Sequence, residues 1–191
     1  MIDLRIAERS GGDFAVTFAR ATLGVALVHR HTAAEHDHGQ KLLAEVSGVL
    51  LRHGHNLSDL PVANVYVARE RARRGDRDGA IPLIRATVDH LFREGLALMW
   101  GISATGVLVE TLLDRAADAD VAEAEAAVER LAVAPADEGL VMRDIWLLRL
   151  HALLARAHGD AGAYAHLRDR YRDMARSLGF EGHIAWAEAM P

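Results

Sequence analysis

The histidines between residues 29 and 55 are the side chains whose type and spacing most suggest chemistry. Six of the chain's 11 histidines fall here, as three His-x-His pairs. Imidazole nitrogens bind Zn²⁺ or Ni²⁺, but residues two apart point to different sides of a helix. Each pair lies at a predicted helix end, where a histidine also interacts favourably with the helix dipole. The sequence therefore predicts no resident metal, and the candidate ligands, should one bind, are His29, His31, His36 and His38.

A run of arginines over 69–77 invites a phosphate-binding interpretation. The run contains Arg69, Arg71, Arg73, Arg74 and Arg77. Acidic residues interrupt it at Glu70, Asp76 and Asp78, and this alternation is typical of a solvated helix face. The sequence therefore favours a charged surface over an anion site.

The three tryptophans, Trp100, Trp146 and Trp186, have the size of core residues or of ligand anchors. Core packing is the favoured interpretation. The alternative places a bound molecule or partner against four residues, Tyr66, Arg69, Trp100 and Trp146.

Motifs of known enzyme classes are missing from the sequence. A phosphate-binding loop needs a Gly-Lys-Ser/Thr motif, whereas the only lysine, Lys41, lies in GQKLL within an amphipathic pattern. The chain has no cysteine, which excludes thiolate catalysis and Cys-based zinc sites. GISATG at 101–106 spaces its glycines one residue too far apart for a nucleophile elbow, and small residues for close helix packing explain it better. The sequence predicts a non-enzymatic protein without cofactors.

Composition favours a helical protein away from nucleic acids and membranes. Hydrophobic residues make up 51% of the 191 residues and aromatic ones 5%, so the core is mostly Ala, Leu and Val. A net charge of −5 argues against a nucleic-acid-binding body. The longest apolar run, 96–109, is shorter than the roughly 20 residues that span a bilayer, and the N-terminus lacks a signal-peptide pattern. We expect a cytoplasmic protein.

The elements that must position these residues repeat along the chain. Apolar residues follow helical spacing, and Asp76, Asp118 and Asp160 break the pattern at intervals of 42 residues. Ala68 and Ala80 supply small residues at a helix contact within the hairpin 66–91. The sequence predicts one all-α domain over 1–191, a tetratricopeptide-like right-handed solenoid of about four antiparallel helix hairpins. The alternative is a non-repeating α-bundle. The third helix is predicted to begin near residue 38.

Four segments carry a resemblance to a known family. They are GDRDGAIPLIRATVDHLFREG, ATGVLVETLLDR, VAEAEAAVERLAVAPADEG and YRDMARSLGFEGHIAWAEAMP. This text resembles the C-terminal helical region of actinobacterial signalling proteins, in which a class III nucleotidyl cyclase or LuxR-type domain accompanies an ATPase module and tetratricopeptide-like repeats. The resemblance runs from about Ile6 to Pro191 and implies a fold and no catalytic residues. The resemblance implies that the chain is either a fragment of such a protein or a stand-alone relative.

These observations predict a regulatory or protein-interaction module of a signalling protein, which binds a protein, a peptide or a second copy of itself. An apolar edge at Ile2, Leu4 and Ile6 is the predicted association surface of a homodimer, since the terminal helix of an array otherwise needs a polar face. Two alternatives remain: a sensor that binds a small molecule in the solenoid groove, and an enzyme fragment.

Overall fold

A computed structural model describes residues 6, 8–9, 12–30, 32–53, 60–136 and 139–190, and within these ranges the chain is helical with no strand. The prediction of an all-α protein is confirmed for this part of the chain. The helices are α1 (Asp13–Val28), α2 (Ala33–His53), α3 (Leu60–Arg73), α4 (Arg77–Arg93), a π-helix (Ala97–Gly101), α5 (Ile102–Arg115), α6 (Asp120–Ala132), α7 (Val141–Ala157), α8 (Ala161–Leu178) and α9 (Glu181–Ala189).

The chain divides into two compact units, unit 1 (Met1–Thr87) and unit 2 (Val88–Pro191), and the boundary falls within α4. Each unit is described by itself below. The predicted single domain over 1–191 stays a prediction.

In unit 1, α1 packs on α2, and α2 packs on α3. Two glycines let α1 and α2 approach closely: a Cβ built on Gly39 would lie 2.8 Å from the carbonyl oxygen of Gly24. Leu43, Val46, Val62 and Tyr66 fill the core beside this crossing and are almost fully buried. The small residues predicted at the hairpin, Ala68 and Ala80, are buried too.

The N-terminus of α2 differs from the prediction. The helix begins at Ala33, about five residues before the predicted start. Thr32 Oγ1 accepts from the backbone N–H of Glu35 and donates to its carboxylate, at 3.2 and 2.7 Å. The Thr32 side chain thus caps one backbone N–H of the first turn and also holds the Glu35 carboxylate, which favours a helix in the polar segment before residue 38.

In unit 2, α5 packs on α6 and α7, α7 packs on α6 and α8, and α8 packs on α9. The predicted role of small residues over 101–106 is confirmed at Gly106. A Cβ on this residue would lie 2.1 Å from the Trp146 ring, so only glycine lets the indole reach α5. The segment Ala97–Arg115 has the length and hydropathy of a membrane span, but more than half of it is buried inside unit 2, which is typical of a core helix.

The regular breaks in the sequence correspond to two kinds of turn. Gly75 and Gly159 take positive φ angles of 105° and 74°. Asp76 and Asp160 then accept the backbone N–H three residues on, each at 2.9 Å. These two turns lie 84 residues apart and are alike.

The middle turn is built differently. Ala116 holds the left-handed conformation with φ 56°, and Asp120, not Asp118, accepts the backbone N–H of Ala117 at 2.8 Å. Asp120 is 1% exposed and forms an ion pair with Arg115. The helices that follow these three turns, α4, α6 and α8, nevertheless begin at similar intervals, at Arg77, Asp120 and Ala161.

Candidate functional site

A surface groove between α2 and α3 is the candidate site in unit 1. Its volume is about 720 Å³, within the range of roughly 300–1,000 Å³ that is usual for ligand sites. The lining residues are Asp37, Gln40, Lys41 and Ala44 on α2, Val67, Glu70 and Arg71 on α3 with Arg74 directly after its last residue, and Asp76. On each helix these positions follow i, i+3, i+4, i+7, so each helix contributes one continuous stripe. We call this site the α2–α3 groove.

Two contacts fix the register of the helices that form the groove. Ser47 Oγ donates to Asn64 Oδ1 at 3.3 Å, and Arg73 Nη1 lies 2.6 Å from His36 Nε2. A higher residue number on α2 therefore faces a lower residue number on α3, so the two helices are antiparallel. By either contact, position 39 on α2 lies opposite positions 70–72 on α3.

The groove carries both signs of charge along most of its length. Three acidic and three basic side chains line it. Arg74 Nε donates to Glu70 Oε1 at 2.9 Å. The other Glu70 oxygen, Oε2, is buried without a hydrogen bond within the described residues and lies 3.5 Å from His36 Nε2 and 3.9 Å from Arg73 Nη1. Ala44 and Val67 form an exposed apolar end. This lining suits a peptide with apolar and charged side chains better than a simple anion.

At the turn below the groove, Asp76 is held as a carboxylate. Its ion pair with Arg71 and the hydrogen bond from the Gly79 N–H lower the pKa of Asp76. Arg71 is therefore committed to the turn, while it also lines the groove.

The predicted histidine and arginine clusters meet in unit 1. Arg69 Nη1 lies 3.5 Å from His29 Nδ1, and His29 Nε2 lies 3.0 Å from the Tyr66 hydroxyl. A guanidinium only donates hydrogen bonds, so His29 Nδ1 is the acceptor in this contact. Arg73 approaches His36 Nε2 in the same way. We call His29, Tyr66 and Arg69 the His29 cluster.

The same contacts bear on metal binding. Guanidinium nitrogens lie 3.5 Å from His29 Nδ1 and 2.6 Å from His36 Nε2, and their positive charge opposes a metal ion at these nitrogens, although the Glu70 carboxylate also lies 3.5 Å from His36 Nε2. His38 is exposed, and His31 lies outside the described residues. The described part of the chain contains no group of three His, Asp or Glu residues placed to hold a metal ion.

The four predicted binding residues occupy different surroundings. Tyr66 and Arg69 come together in the His29 cluster, where Tyr66 is 1% exposed. In unit 2, Trp146 is 6% exposed, and Trp100 is half-buried with its indole N–H unpaired among the described residues. A partner would reach Tyr66 or Trp146 only after a rearrangement, and their binding role stays a prediction. Of the predicted association edge, Ile6 is 56% exposed, while Ile2 and Leu4 lie outside the described residues.

A second histidine cluster, in unit 2, was not predicted from the sequence. His183 Nδ1 lies 2.8 Å from the hydroxyl of Tyr171, and both residues are buried. The Trp146 and Trp186 rings meet the imidazole edge-on at 5.6 and 5.0 Å between centroids. Arg149 pairs with Glu110 and lies over the Trp186 ring. We call His183, Tyr171, Trp146, Trp186 and Arg149 the His183 cluster.

Burial governs the protonation of this cluster. It lowers the pKa of His183 to about 4, with a smaller contribution from the Arg149 charge, so the imidazole is neutral near pH 7. Burial also raises the pKa of the Tyr171 hydroxyl. A neutral histidine enclosed by aromatic rings at the start of α9 serves to hold that helix on α7 and α8.

Comparisons with protein-family models, curated proteins and solved structures found no significant match. The resemblance to cyclase-associated repeat regions therefore stays a prediction.

Sequence reasoning missed the α2 stripe of the groove, although a signal was present. Asp37, Gln40, Lys41 and Ala44 follow helical spacing on the side opposite Leu42, Leu43 and Val46. The misplaced start of α2 left Asp37 in a predicted loop, and the stripe was overlooked.

Proposed function

We propose that this protein is a non-catalytic interaction module whose α2–α3 groove binds a peptide segment of a partner protein. The observation that carries the proposal is the pair of facing stripes, each spaced i, i+3, i+4, i+7, along an open groove. Core-facing positions are already satisfied by Leu42, Leu43 and Val46, so these stripes are a separate surface.

The shape of the groove favours a helical segment as the occupant. Two antiparallel helices leave a furrow that a third helix fills, with its own side chains at i, i+3 and i+4 between theirs. The apolar end at Ala44 and Val67 accepts an apolar anchor, and the charged end accepts side chains of both signs. We expect an amphipathic partner segment with one apolar anchor near one end.

Two further features support a repeat architecture, which we propose to be a tetratricopeptide-like right-handed solenoid. The turns at Gly75-Asp76 and Gly159-Asp160 share one geometry, and α5 packs on both α6 and α7. We further propose that the protein acts in the cytoplasm as part of a signalling protein of the cyclase–ATPase type, because of the resemblance of its repeat text.

The two clustered histidines, His29 and His183, are poorly placed for general-base catalysis. The imidazole nitrogens of His29 contact Tyr66 and Arg69, and His183 is enclosed by aromatic rings. A general base needs a reachable lone pair beside a substrate, and neither histidine offers one.

Peptide selection tests the proposal. The full chain, immobilised, is panned against a display library of random 16-residue peptides, and enriched peptides are titrated against the wild type, V67E and K41D. We expect enriched peptides to lose roughly tenfold or more in affinity for both variants. V67E puts a negative charge at the apolar end of the groove, and K41D replaces a positive charge by a negative one. R156E, a charge reversal at an exposed position on α7, is the matched control and should bind normally.

Two outcomes would overturn the proposal. One is a library that yields no enriched sequence. The other is a set of enriched peptides that bind V67E and K41D as tightly as they bind the wild type.

A small-molecule sensor is a second candidate, favoured by the groove volume of about 720 Å³. A thermal-shift screen across nucleotides, sugars and acyl-CoAs would support it if one class raised the unfolding temperature of the wild type and not of K41D. Homodimerisation through the end that contains Ile6 likewise stays a proposal, resting on the 56% exposure of that side chain.

A further inference from the structure

We propose that the α2–α3 groove is a self-association surface, occupied by the same groove of a second copy across a two-fold axis. The inference deepens the proposed function, on which it rests because the groove must be a docking surface. It names one occupant: another copy of this chain.

The order of charges on the two stripes carries the argument. On α2, Asp37 precedes Lys41 by four residues, and on α3, Glu70 precedes Arg74 by four. A stripe with an acid and then a base one turn later complements its own antiparallel copy, since each acid then faces the base of the other chain. Both stripes of the groove have this order.

The register of the two helices lets one axis serve both stripes. The midpoint of Asp37 and Lys41 is Gly39, and the midpoint of Glu70 and Arg74 is Ala72. The cross-helix contacts place position 39 opposite positions 70–72. The two midpoints therefore lie at the same level to within two residues, about 3 Å along a helix.

A two-fold axis in the plane of the interface, perpendicular to the helices at this level, lays each helix antiparallel on its own copy. Asp37 then faces Lys41 of the second copy, and Glu70 faces Arg74 of the second copy. Symmetry doubles each pair, so one axis produces four intermolecular ion pairs in a closed dimer.

The exposure and the ion-pair partners of these side chains within one chain agree with the proposed dimer. Asp37 and Lys41 are exposed, and within the described residues neither has an ion-pair partner. Glu70 is 15% exposed and pairs with Arg74 of its own chain through Oε1, while its Oε2 has no hydrogen bond among the described residues and only longer contacts with His36 and Arg73, at 3.5 and 3.9 Å. A second copy would supply ion-pair partners for Asp37 and Lys41. It would also extend the pair of Glu70 and Arg74 into a network of charges.

Charge reversal with complementation tests the proposal. Sedimentation velocity at 10–100 μM protein, the range in which modest interfaces assemble, is run on the wild type, D37K, K41D and an equimolar mixture of the two variants. We expect the wild type to dimerise. Each single variant puts like charges opposite each other and should raise the Kd by roughly tenfold or more. The mixture should restore the dimer, because one variant is then all basic and the other all acidic along the α2 stripe.

Three controls test whether the dimer forms through the charges of the α2–α3 groove. R156E should dimerise as the wild type does, and circular dichroism should give all variants the same helical content. Raising the salt from 0.05 to 0.5 M should weaken the wild-type dimer, since exposed ion pairs are screened. A monomeric wild type, single variants that dimerise normally, or a mixture that stays monomeric would each overturn the assignment.

Failure of self-association and failure of peptide binding give different results. A monomer that still binds groove-selected peptides overturns self-association alone. A dimer that forms by complementation but binds no selected peptide overturns the peptide-binding function and leaves the self-association surface standing. Where both hold, a selected peptide should compete with the second copy and dissociate the dimer.

Discussion

The two histidine clusters use the same three residue types and differ in what surrounds them. In unit 1, His29 contacts Tyr66 and Arg69 and is half-buried. In unit 2, His183 contacts Tyr171 and is enclosed by aromatic rings, while Arg149 pairs with Glu110 instead of the imidazole. A histidine, a tyrosine and an arginine thus make a part-buried contact in one unit and a buried structural support in the other.

Burial, rather than residue type, decides the consequence of each cluster. The polar groups of the His183 cluster have no water to replace a lost partner, so each contributes strongly to stability. In the His29 cluster, Tyr66 and Arg69 lie on α3, which also lines the α2–α3 groove, and His29 itself is half-buried. We therefore expect unit 2 to lose stability on mutation and unit 1 to lose binding.

The largest expected effect concerns the packing that seats Trp146. G106A puts a Cβ about 2.1 Å from the Trp146 ring. We expect the free energy of unfolding of unit 2 to fall by about 3 kcal/mol, the upper end of overpacking costs. Urea titration followed by tryptophan emission measures it, because all three tryptophans lie in unit 2.

Gly182 provides the matched control for that substitution. A Cβ at Gly182 in α9 meets nothing within 4 Å. We expect G182A to stabilise the chain by about 0.5 kcal/mol, since alanine restricts the unfolded chain and favours the helix. Equal losses for G106A and G182A would refute the close approach of Trp146 to α5.

The next effect is a pH dependence that belongs to unit 2. The pKa of His183 falls from 6.5 to about 4 on folding, so below pH 6.5 the unfolded chain binds a proton that the folded chain excludes. Stability from the neutral imidazole is complete above pH 6.5 and is lost as the pH falls towards 4. We expect a loss of about 2 kcal/mol, less than the full shift implies because of solvent screening.

The variant H183Q isolates this titration from the other groups that titrate in the same range. Its stability should change less with pH than that of the wild type between pH 6.5 and 4, in urea titrations followed by tryptophan emission. Identical pH profiles for the two proteins would show that His183 is not the buried neutral group.

Removing the two tyrosine hydroxyls compares the clusters directly. Y171F leaves the buried Nδ1 of His183 without its partner, and we expect a loss of about 2 kcal/mol. Y66F removes the hydroxyl 3.0 Å from Nε2 of His29, which is only half-buried, and we expect a smaller loss of about 0.5–1 kcal/mol. Tryptophan emission reports the first loss, and amide hydrogen exchange of 60–73 reports the second. The reverse order would refute burial as the deciding factor.

The smallest expected change in stability is at the groove itself. V67E and K41D alter side chains that face solvent, so we expect the free energy of unfolding to change by about 0.5 kcal/mol or less. Thermal unfolding followed by circular dichroism measures this. A large loss would mean that the stripe residues are structural and would remove the reason to treat the groove as a binding surface.

Local signals in the sequence predicted most of the helices. Gly75, Gly159 and Gly179 end helices in the left-handed conformation, and the following aspartates at 76 and 160 cap the next helix. The start of α2 was misplaced although the T-A-A-E capping box at Thr32 was readable. The middle turn was assigned to Asp118 because spacing alone does not show which of two nearby aspartates is buried.

Contacts between distant residues were beyond sequence reasoning. His29 meets Arg69, and His36 meets Arg73, although these residues lie 40 and 37 positions apart in the sequence. They meet because of the way α1, α2 and α3 align along one another when they pack. Gly24 and Gly39 permit the close approach of α1 and α2. The enclosure of His183 likewise depends on Trp146 reaching α5 across Gly106. A single sequence contains neither the register nor the cavity shape, so the charges were assigned to solvent and the groove was missed.

Amide hydrogen exchange on the full chain, with and without a selected peptide, tests the central claim most directly. The account predicts slower exchange in 33–44 and 67–76, the segments that line the groove, and unchanged exchange in 141–189 around the His183 cluster. Protection confined to 141–189, with none in the groove segments, would contradict it.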